Sequence, residues 1–359
     1  MTKKLITTGD AIREGLAEVG KKDKNVLLFA EGIDDPSSVF GTTKDLKQIY
    51  GEDRIIEMPV SENGLCGVAI GSALMGKRPV ISFHRVEFAL LALEQIMNNA
   101  AKAHYISNGK HRVPLVIRVI IGRGWGQGPE HSQSLEILFA SIPGLKVIMP
   151  TFPNDAKGMI IAAIEDNNPV IFLEHRWCHY VQGLVEDGYF VADITEPIKI
   201  RDGNKFTIVA SSFMVLEALK AALHLANCNI EVEVFDLRVL RPLKLKKIFE
   251  SVRKTGCLMT VDCGFKTLGI GAEIISQLVS AQFDSFKIPP IRLGMPDHPI
   301  PSSVGMLNGL YPDAIQIFEG VARALQCSSE LISKELKALK IEKANLPMDI
   351  PNPEFKGPF

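Results

Sequence analysis

The stretch GEDRIIEMPVSENGLCGVAIGSALMGKRPV, residues 51–80, decides the fold because it joins two apolar strands through one helix. RIIEMPV is predicted to be a strand that Pro59 interrupts, and RPVISFH is predicted to be the next strand. Between them, LCGVAIGSALMG is predicted to be a helix whose small residues suit close approach of a neighbouring backbone. The same alternation continues through the apolar runs NVLLFAEG, VPLVIRVII, LKVIMP and PVIFLE. Together these patterns predict a doubly wound α/β domain over residues 1–180.

The second half of the chain repeats this alternation after a break. Residues 181–204 are turn-rich and are predicted to form a crossover linker. In residues 205–327 the strands FTIVAS, IEVEVFDL and CLMTVD alternate with helical patterns, which predicts a second α/β domain. Residues 328–359 combine a charged helix with a proline-rich end and form a tail. The predicted fold class is therefore α/β with two doubly wound domains.

Two long helices are predicted from apolar periodicity in the first domain. One covers residues 3–20, with Thr8 or Asp10 able to cap its start. The other is EFALLALEQIMNNAAKAHYIS, residues 87–107, in which apolar residues recur at helical spacing. Both predictions rest on local pattern alone.

The overall charge excludes some classes of function. The 40 basic and 41 acidic side chains are mixed along the chain and give a formal net charge of −1. A nucleic-acid-binding protein needs a basic face, so that class is not expected. The N-terminus has no apolar signal core, and no apolar run has the length needed to cross a bilayer. The six cysteines form no CxxC pair, which is typical of reduced thiols. A cytoplasmic protein without membrane contact is the expectation.

Ligands of open α/β sheets bind at the carboxyl ends of the strands, so the residues just after each strand are candidates for a site. Glu62 follows a strand and precedes an almost wholly apolar helix. A carboxylate in that position would be poorly solvated and able to hold or share a proton. The alternative is a helix-capping acid at the positive end of the helix dipole.

The segment RVIIGRGWGQGPEH, residues 118–131, contains four glycines and ends at His131. The glycines allow close backbone approach to a ligand, but they are also typical of a mobile surface loop. His131 is accordingly either catalytic or structural. Further along, His175 and His179 have a spacing that on a helix could bind zinc, yet they directly follow a strand and lack a third ligand. Polar strand-end residues are the favoured interpretation of that pair.

These segments resemble a known family. In order along residues 5–325, the blocks that carry the resemblance are GEDRIIEMPVSENGLCGVAIGSALMGKRPV, ALEQIMNNAAKAHYISNGK, VPLVIR, HSQSLEILFASIPGLKVIMP, DAKGMIIAAIEDNNPVIFLEH, VEVFDLRVLRPL and GIGAEI. The chain resembles the beta subunit of the thiamine-diphosphate-dependent decarboxylating component of 2-oxoacid dehydrogenase complexes, of the pyruvate or branched-chain type, within the transketolase-like group. The resemblance implies a pyrimidine-binding domain followed by a transketolase C-terminal-like domain.

The resemblance also implies roles for individual residues. Glu62 matches the acid that hydrogen-bonds the aminopyrimidine ring of thiamine diphosphate, and Glu31 matches an acid near that ring. Phe88 matches the aromatic residue that stacks on the pyrimidine. His131 matches the active-site histidine, which positions the substrate or acceptor and moves protons.

A potassium ion is implied as well. Members of this family can hold such an ion through backbone oxygens, which here would belong to Ala163, Asp166 and Asn168.

One family motif is missing. A GDG motif, followed some two dozen residues later by asparagines, holds the cofactor's diphosphate and Mg²⁺ in this family, and no GDG occurs in this chain. The resemblance therefore implies that an alpha subunit supplies that half of the site in an α2β2 heterotetramer, and that the beta subunits pair with each other. It further implies a lipoyl-bearing acyltransferase core as the acyl acceptor.

The chain departs from the family pattern near the expected pocket. His84 and Arg85 stand where relatives usually carry a glutamine and an aromatic residue, and Arg123 and Trp125 stand where relatives are commonly smaller. We hypothesise that Arg85 and Arg123 favour an anionic or highly polar substrate or acceptor. The alternative for Arg85 is a salt bridge to Glu87 or to a partner chain.

Two other functions stay open. One is a split transketolase-like or carboligating enzyme, which transfers a two-carbon or acyl unit to an aldehyde or sugar and fits the two arginines. The other is a non-enzymatic paralogue, which the joint presence of Glu62, Phe88 and His131 disfavours.

Overall fold

The computed structural model describes residues 2–36, 38–123 and 126–346. It confirms the predicted α/β class with two sheets flanked by helices. In the first half of the chain the strands are β1 Lys3–Thr7, β2 Val26–Ala30, β3 Ile55–Glu57, β4 Arg78–Phe83, β5 Val116–Ile121, β6 Lys146–Ile148, β7 Val170–His175 and β8 Gln182–Glu186. The helices there are α1 Thr8–Lys22, α2 Lys47–Tyr50, α3 Glu62–Leu74, α4 Val86–Leu91, α5 Ala103–Ile106, α6 Gly128–His131, α7 Glu136–Ala140 and α8 Pro153–Glu165.

The second half supplies the remaining elements. Its strands are β9 Ile198–Arg201, β10 Phe206–Ala210, β11 Val232–Asp236, β12 Val239–Arg241, β13 Leu258–Phe265 and β14 Ile291–Met295. Its helices are α9 Phe213–Asn227, α10 Lys246–Thr255, α11 Ile270–Gln282, α12 Ala314–Ala324 and α13 Glu330–Ala344. Short 3₁₀ turns occupy Glu52–Arg54, Arg176–Tyr180, Phe283–Ser285 and Val304–Met306.

The large sheet has the strand order β12-β6-β7-β5-β4-β2-β3 and is parallel except for β12, which runs antiparallel to β6. The second sheet has the order β14-β13-β10-β11-β9, with only β9 antiparallel. Its central strands are wholly buried, as expected for parallel strands covered by helices on both faces. The parallel arrangement places the carboxyl ends of β2, β4, β5 and β7 along one edge of the large sheet.

The linker and the domain boundaries are more interwoven than the sequence predicts. Strand β8, within the predicted crossover, pairs with β1 in a small antiparallel sheet, and β9 belongs to the second sheet. Strand β12 of the second half extends the large sheet of the first half. One continuous apolar cluster reaches from the first domain to the second. The two halves are therefore joined by a shared sheet and a shared core.

Both long helices predicted in the first domain are partly wrong. Helix α1 begins only at Thr8, because the residues before it form strand β1. Its cap is Thr7, whose hydroxyl accepts a hydrogen bond from the backbone N–H of Asp10 at 3.1 Å. The predicted helix over residues 87–107 is divided into α4, a π-helical turn at Gln95–Ala100 and α5.

Candidate active site

The predicted site residues lie along the edge where the parallel strands end. Glu31 directly follows β2, and Arg85 and Phe88 lie just after β4. The glycine loop follows β5 and ends at His131, the last residue of the short helix α6. Glu62 starts α3, which follows β3. The topology therefore brings residues that are distant in sequence to one end of the sheet.

Glu31 and Glu62 form a pair of interacting carboxyl groups. Glu62 is only 6% exposed, and it is also the first residue of α3. The sequence left two alternatives for this residue, a buried acid and an acid at the start of a helix, and both descriptions apply. Burial raises the pKa of Glu31, the charge of Glu62 raises it further, and a hydrogen bond from the backbone of Ser61 opposes both effects. Oε1 of Glu31 is buried and has no hydrogen-bond partner among the described residues. An oxygen in this state fits a ligand that brings its own donor.

Phe88 and His131 lie next to each other. Their ring centroids lie 5.7 Å apart at an interplanar angle of 50°. Nδ1 of His131 is hydrogen-bonded to Oε1 of Glu87, and among the described residues no hydrogen bond to Nε2 is found. The side chain of His131 is 38% exposed, which is not the environment of a buried structural histidine. The imidazole is therefore fixed at one nitrogen while the other can act on a ligand.

Arg85 holds the glycine loop. Its Nη1 donates to the carbonyl of Gly122 at 3.2 Å, and its Nη2 donates to Oε1 of Gln127. Burial lowers the pKa of Arg85 to about 10, while the charge of Glu87 acts in the opposite direction. Because Glu87 pairs with His131, the proposed salt bridge from Arg85 to Glu87 is not the arrangement found. Arg85 instead links the start of the loop to its end, next to His131.

Arg123 lies at the junction of the two domains and does not share the contacts of Arg85. Its guanidinium lies between two aromatic rings, 3.8 Å from the centroid of Trp177 and 4.0 Å from that of Tyr311. Tyr311 belongs to the second domain, so Arg123 faces the domain junction rather than the ring of Phe88. Trp125, the other unusual residue of the loop, lies outside the described residues. Arg85 and Arg123 thus have different contacts, although the charges of both lower the pKa of His175.

A buried ionic network behind the site was missed by the sequence analysis. Arg118, in the middle of β5, donates to both carboxylate oxygens of Glu174, from Nε at 2.6 Å and from Nη2 at 2.9 Å. Nε2 of His179 lies 3.0 Å from the same carboxylate, and Nη2 of Arg118 also reaches the hydroxyl of Thr42 at 2.7 Å. Burial raises the pKa of Glu174, but the charge of Arg118 and these hydrogen bonds outweigh it and hold the pKa at about 2. An arginine inside an apolar strand was the available signal, since a buried charge needs a partner.

His175, the last residue of β7, and His179 do not form a metal site. His179 is bonded to Glu174, whereas Nδ1 of His175 accepts a hydrogen bond from the backbone of Trp177 at 3.2 Å. The His175 ring stacks on Phe213 with centroids 5.4 Å apart, and burial lowers the pKa of His175 to about 3. Across the described ranges, no three His, Cys, Asp or Glu side chains are grouped as metal ligands.

The turn after α8, where a potassium ion is predicted, already contains positive charge. Arg78 donates to the carbonyls of Ile164 at 2.8 Å and Asp166 at 3.0 Å. Lys146 forms an ion pair with the carboxylate of Asp166, whose other oxygen accepts from the backbone of Asn168 at 2.9 Å. The positive charges of Arg78 and Lys146 oppose the binding of a potassium ion at this turn. The site at Ala163, Asp166 and Asn168 therefore stays a prediction that this geometry disfavours.

Comparisons with known proteins agree with this fold. Residues 4–178 match the family model described as "Transketolase, pyrimidine binding domain", and residues 197–317 match "Transketolase, C-terminal domain". A solved structure described as "Split gene transketolase, inactive beta4 tetramer" superimposes with a TM-score of 0.74. It covers 90% of this chain and 99% of its own at 23% sequence identity, which supports the fold. No helix within the described residues has both the length and the apolar character to span a membrane.

Curated relatives are more similar in sequence. The pyruvate dehydrogenase E1 component subunit beta of Gracilaria tenuistipitata var. liui is 39% identical over 315 residues, which are 87% of this chain and 97% of the relative. The acetoin:2,6-dichlorophenolindophenol oxidoreductase subunit beta of Cupriavidus necator is 37% identical over 327 residues, which are 88% of this chain and 96% of the relative. A similar oxidoreductase subunit beta from Bacillus subtilis is 36% identical over 312 residues.

Proposed function

Since the chain belongs to the family that contains the beta subunits of pyruvate dehydrogenase E1 and of acetoin:2,6-dichlorophenolindophenol oxidoreductase, we propose that it is the beta subunit of a thiamine-diphosphate-dependent 2-oxoacid dehydrogenase. The observation that carries this proposal is the interaction of two carboxyl groups, the buried Glu62 and the partly buried Glu31, together with the contact between the rings of Phe88 and His131. Thiamine diphosphate, when bound, supplies the nucleophilic carbon and accepts electrons when the substrate loses CO₂.

Each of these residues has a defined task in the proposal. Glu62 would share one proton with a ring nitrogen of the pyrimidine. The protonated carboxyl group would donate to that nitrogen, and the carboxylate would accept from it after the proton has moved, a task that suits a buried acid. Glu31 presents its unpartnered oxygen toward the same ring. Phe88 offers a flat apolar face for stacking. His131, fixed at Nδ1 by Glu87, uses Nε2 to position the substrate and to move a proton.

An alpha subunit completes the proposed enzyme. The chain lacks the GDG motif, so we assign the diphosphate and Mg²⁺ to a partner chain in an α2β2 assembly. Large apolar side chains on and near α3 support a subunit interface, including a pairing of beta subunits, because they are exposed in the single chain. They are Val68 at 51%, Leu74 at 46%, Met75 at 84% and Leu91 at 62% exposure. The proposed acyl acceptor is a lipoyl group on an acyltransferase core, and the cytoplasm is the proposed location.

The test uses the enzyme assembled with the alpha chain that copurifies with the tagged protein from its native lysate. We expect Glu62→Gln to lower kcat about 100-fold or more with thiamine diphosphate saturating, because removal of a positioned proton-transfer group costs two to four orders of magnitude. The control is Glu52→Gln, a surface carboxylate whose side chain is 81% exposed, and it should leave kcat unchanged. Equal kcat values for Glu62→Gln and the unmodified enzyme would contradict the proposed role. Recovery of the chain without any partner that contains a GDG motif would contradict the split site.

Two open questions are decided by the same assembled enzyme. Lipoamide-dependent formation of NADH with the complete complex supports the dehydrogenase, whereas ligation to an aldehyde or sugar supports the carboligating alternative. The cationic hypothesis predicts that Arg85→Gln changes the preference between anionic and neutral substrates. An unchanged preference would leave Arg85 with the loop-holding contacts described above and no role in specificity.

A further inference from the structure

The part of the chain that carries His131 lies between the two domains. Residues 126–136, named here the His131 segment, contain helix α6 and the turn that leads into α7. Helix α6 has only four residues, and a single helical turn has no stability of its own in water. Contacts with the surrounding structure must therefore determine where His131 stands.

The first domain supplies some of these contacts. Arg85 donates to Oε1 of Gln127, and Nδ1 of His131 is hydrogen-bonded to Glu87. These contacts hold the loop and orient the imidazole from one side only. The position of α6 consequently also depends on what lies on the other side, which is the second domain.

Ser302 of the second domain packs against the backbone at the start of the His131 segment. Gly126 and Gly128 both have left-handed backbone conformations, with φ angles of +68° and +75°. A methyl group on Gly126 would lie 2.8 Å from the carbonyl oxygen of Ser302, and one on Gly128 would overlap Oγ of the same residue. Non-bonded atoms repel well inside about 3.5 Å. Glycine is therefore required at both positions by the contact with Ser302 as well as by the backbone conformation.

Gly264 of β13 makes a second contact, at the end of the segment. A methyl group on Gly264 would lie 2.6 Å from Oε1 of Glu136 and 3.0 Å from the carbonyl oxygen of Ser134. Ser134 and Glu136 are buried, at 3% and 2% exposure. Gly264 is not among the glycines with a positive φ angle, so its missing side chain makes room for the His131 segment and not for an unusual backbone.

Both contacts come from well-anchored parts of the second domain. Strand β13 is buried throughout residues 258–264, up to and including Gly264. Ser302 lies two residues after Ile300, which is only 2% exposed. The apolar cluster around Ile300 also contains Met295, Leu307 and Leu310. The second domain thus presents a fixed surface to the His131 segment.

We propose that the second domain positions His131 for catalysis, with Ser302 and Gly264 as positioning residues that act through the His131 segment. Neither residue has to reach the substrate, because they determine the place of α6, and α6 carries the imidazole. The inference rests on the catalytic role proposed for His131 and goes beyond it, since it gives the second matched domain a part in the reaction. Misplacement of a catalytic group by about 1 Å can lower a rate about 100-fold, so a small displacement of α6 is measurable.

The first test measures the position of His131 directly, by NMR of the full chain with isotope-labelled histidine. The ring of Phe88 lies 5.7 Å from that of His131 and shifts its signal by an amount that depends on their relative position. Gly264→Ala should push the His131 segment away from β13 and move this signal. His131→Gln identifies the signal among those of the eight histidines. His224 of α9, which is bonded to Glu335 of α13, should keep its signal.

Gly320→Ala is the matched control. A methyl group on Gly320 would lie 2.7 Å from Cε of Met259, so this replacement creates a close contact inside the second domain and away from the His131 segment. It should leave the His131 signal in place. Circular dichroism checks that both variants are folded. A His131 signal that moves no further in Gly264→Ala than in Gly320→Ala would overturn the proposal.

A second pair of variants tests the contact with Ser302 and replaces Gly264→Ala if that variant does not fold. Gly128→Ala should move the His131 signal, and addition of Ser302→Gly should return it part of the way, because Oγ no longer meets the new methyl group. The backbone strain at Gly128 is present in both variants, so it does not account for a rescue. Ser302 is exposed, so its replacement should not unfold the chain. Identical His131 signals with and without Ser302→Gly would overturn the role of Ser302.

The enzyme assembled with its alpha chain provides the catalytic readout. We expect Gly264→Ala to lower kcat about tenfold or more with KM changed by less than twofold, and Gly320→Ala to leave both constants unchanged. An effect of Gly264→Ala confined to KM would overturn the positioning role. An unmodified enzyme without activity on 2-oxoacids would contradict the proposed function, whereas the NMR comparison would still decide whether the second domain positions His131.

Discussion

At the scale of single residues, the contact between Glu87 and His131 is expected to affect the catalytic rate most directly. Glu87 holds Nδ1 of His131, so it positions the imidazole without reaching the substrate itself. Glu87→Gln keeps the size of the side chain and removes its charge. We expect kcat of the assembled enzyme to fall about tenfold or more with KM changed by less than twofold, since binding surfaces stay in place. Steady-state kinetics of the assembled enzyme provide the measurement.

The control for this prediction is Glu130→Gln. Glu130 lies beside His131 in sequence, yet its side chain is exposed, and the hydrogen-bond partner of the histidine is Glu87. It should leave both kinetic constants unchanged. An effect of Glu87→Gln confined to KM would show that Glu87 contributes to substrate binding and not to the orientation of His131.

Single residues of the site were predictable when local pattern determined their position. Glu62 combines a strand end with the start of an apolar helix, and both features are visible in a few residues. The partner of His131 was not predictable, because Glu87 is 44 positions away and is aligned only by the turn after β4. The direction of Arg123 depends on Tyr311 from the other domain, which no local pattern reports.

At the scale of elements, Glu136 at the start of α7 is packed against β13 and is expected to make stability depend on pH. Burial raises the pKa of Glu136 to about 8, with hydrogen bonds from the backbone of Glu136 itself and from Gly264 acting in the opposite direction. Between the ordinary carboxyl pKa of 4.5 and about 8, the folded state keeps a proton that the unfolded state has lost. The free energy of unfolding therefore falls as pH rises through this window.

The variant Glu136→Gln cannot titrate and should lack this fall. Relative to the unmodified chain, its free energy of unfolding is expected to improve by about 2 kcal/mol between pH 6 and pH 8, measured by urea unfolding. Asp262, whose pKa is raised by burial to about 6, titrates in both proteins, and its charge is one of the causes that raise the pKa of Glu136. A difference between the two proteins that stays constant from pH 6 to pH 8 would show that Glu136 is ionised in the folded state.

Elements that depend on distant partners were the ones the sequence misassigned. The parallel strands were predicted because continuous apolar runs identify buried strands without reference to their neighbours. Strand β1 is short and largely exposed, and it exists because it pairs with β8 nearly 180 residues later. In the segment predicted as one helix over 87–107, Ala101 donates to the carbonyl of Ile96 at 3.0 Å, a five-residue spacing that α-helical periodicity does not anticipate.

At the scale of the whole molecule, the division into two domains was predictable and their interweaving was not. The alternation of strands and helices resumes after a turn-rich break, which is a local signal. Strand β12 crosses back to pair with β6, and Arg238 just before it forms an ion pair with Asp155 of α8 at 2.8 Å. Three residues, VLR, carry no pattern that indicates which of two sheets they join. The sharing of a sheet nevertheless determines how the two halves unfold.

Because β12 and one apolar core connect the two domains, the chain should unfold in a single thermal transition. Val239 of β12 is fully buried against the core of the first domain, although it belongs to the second half of the sequence. Val239→Ala should lower stability by about 2 kcal/mol and move the whole transition to lower temperature, as measured by differential scanning calorimetry. Val191→Ala in the linker, where the side chain is 52% exposed, should leave the transition in place. Two resolved transitions, of which Val239→Ala moves only one, would show that β12 does not couple the domains and that each half folds on its own core.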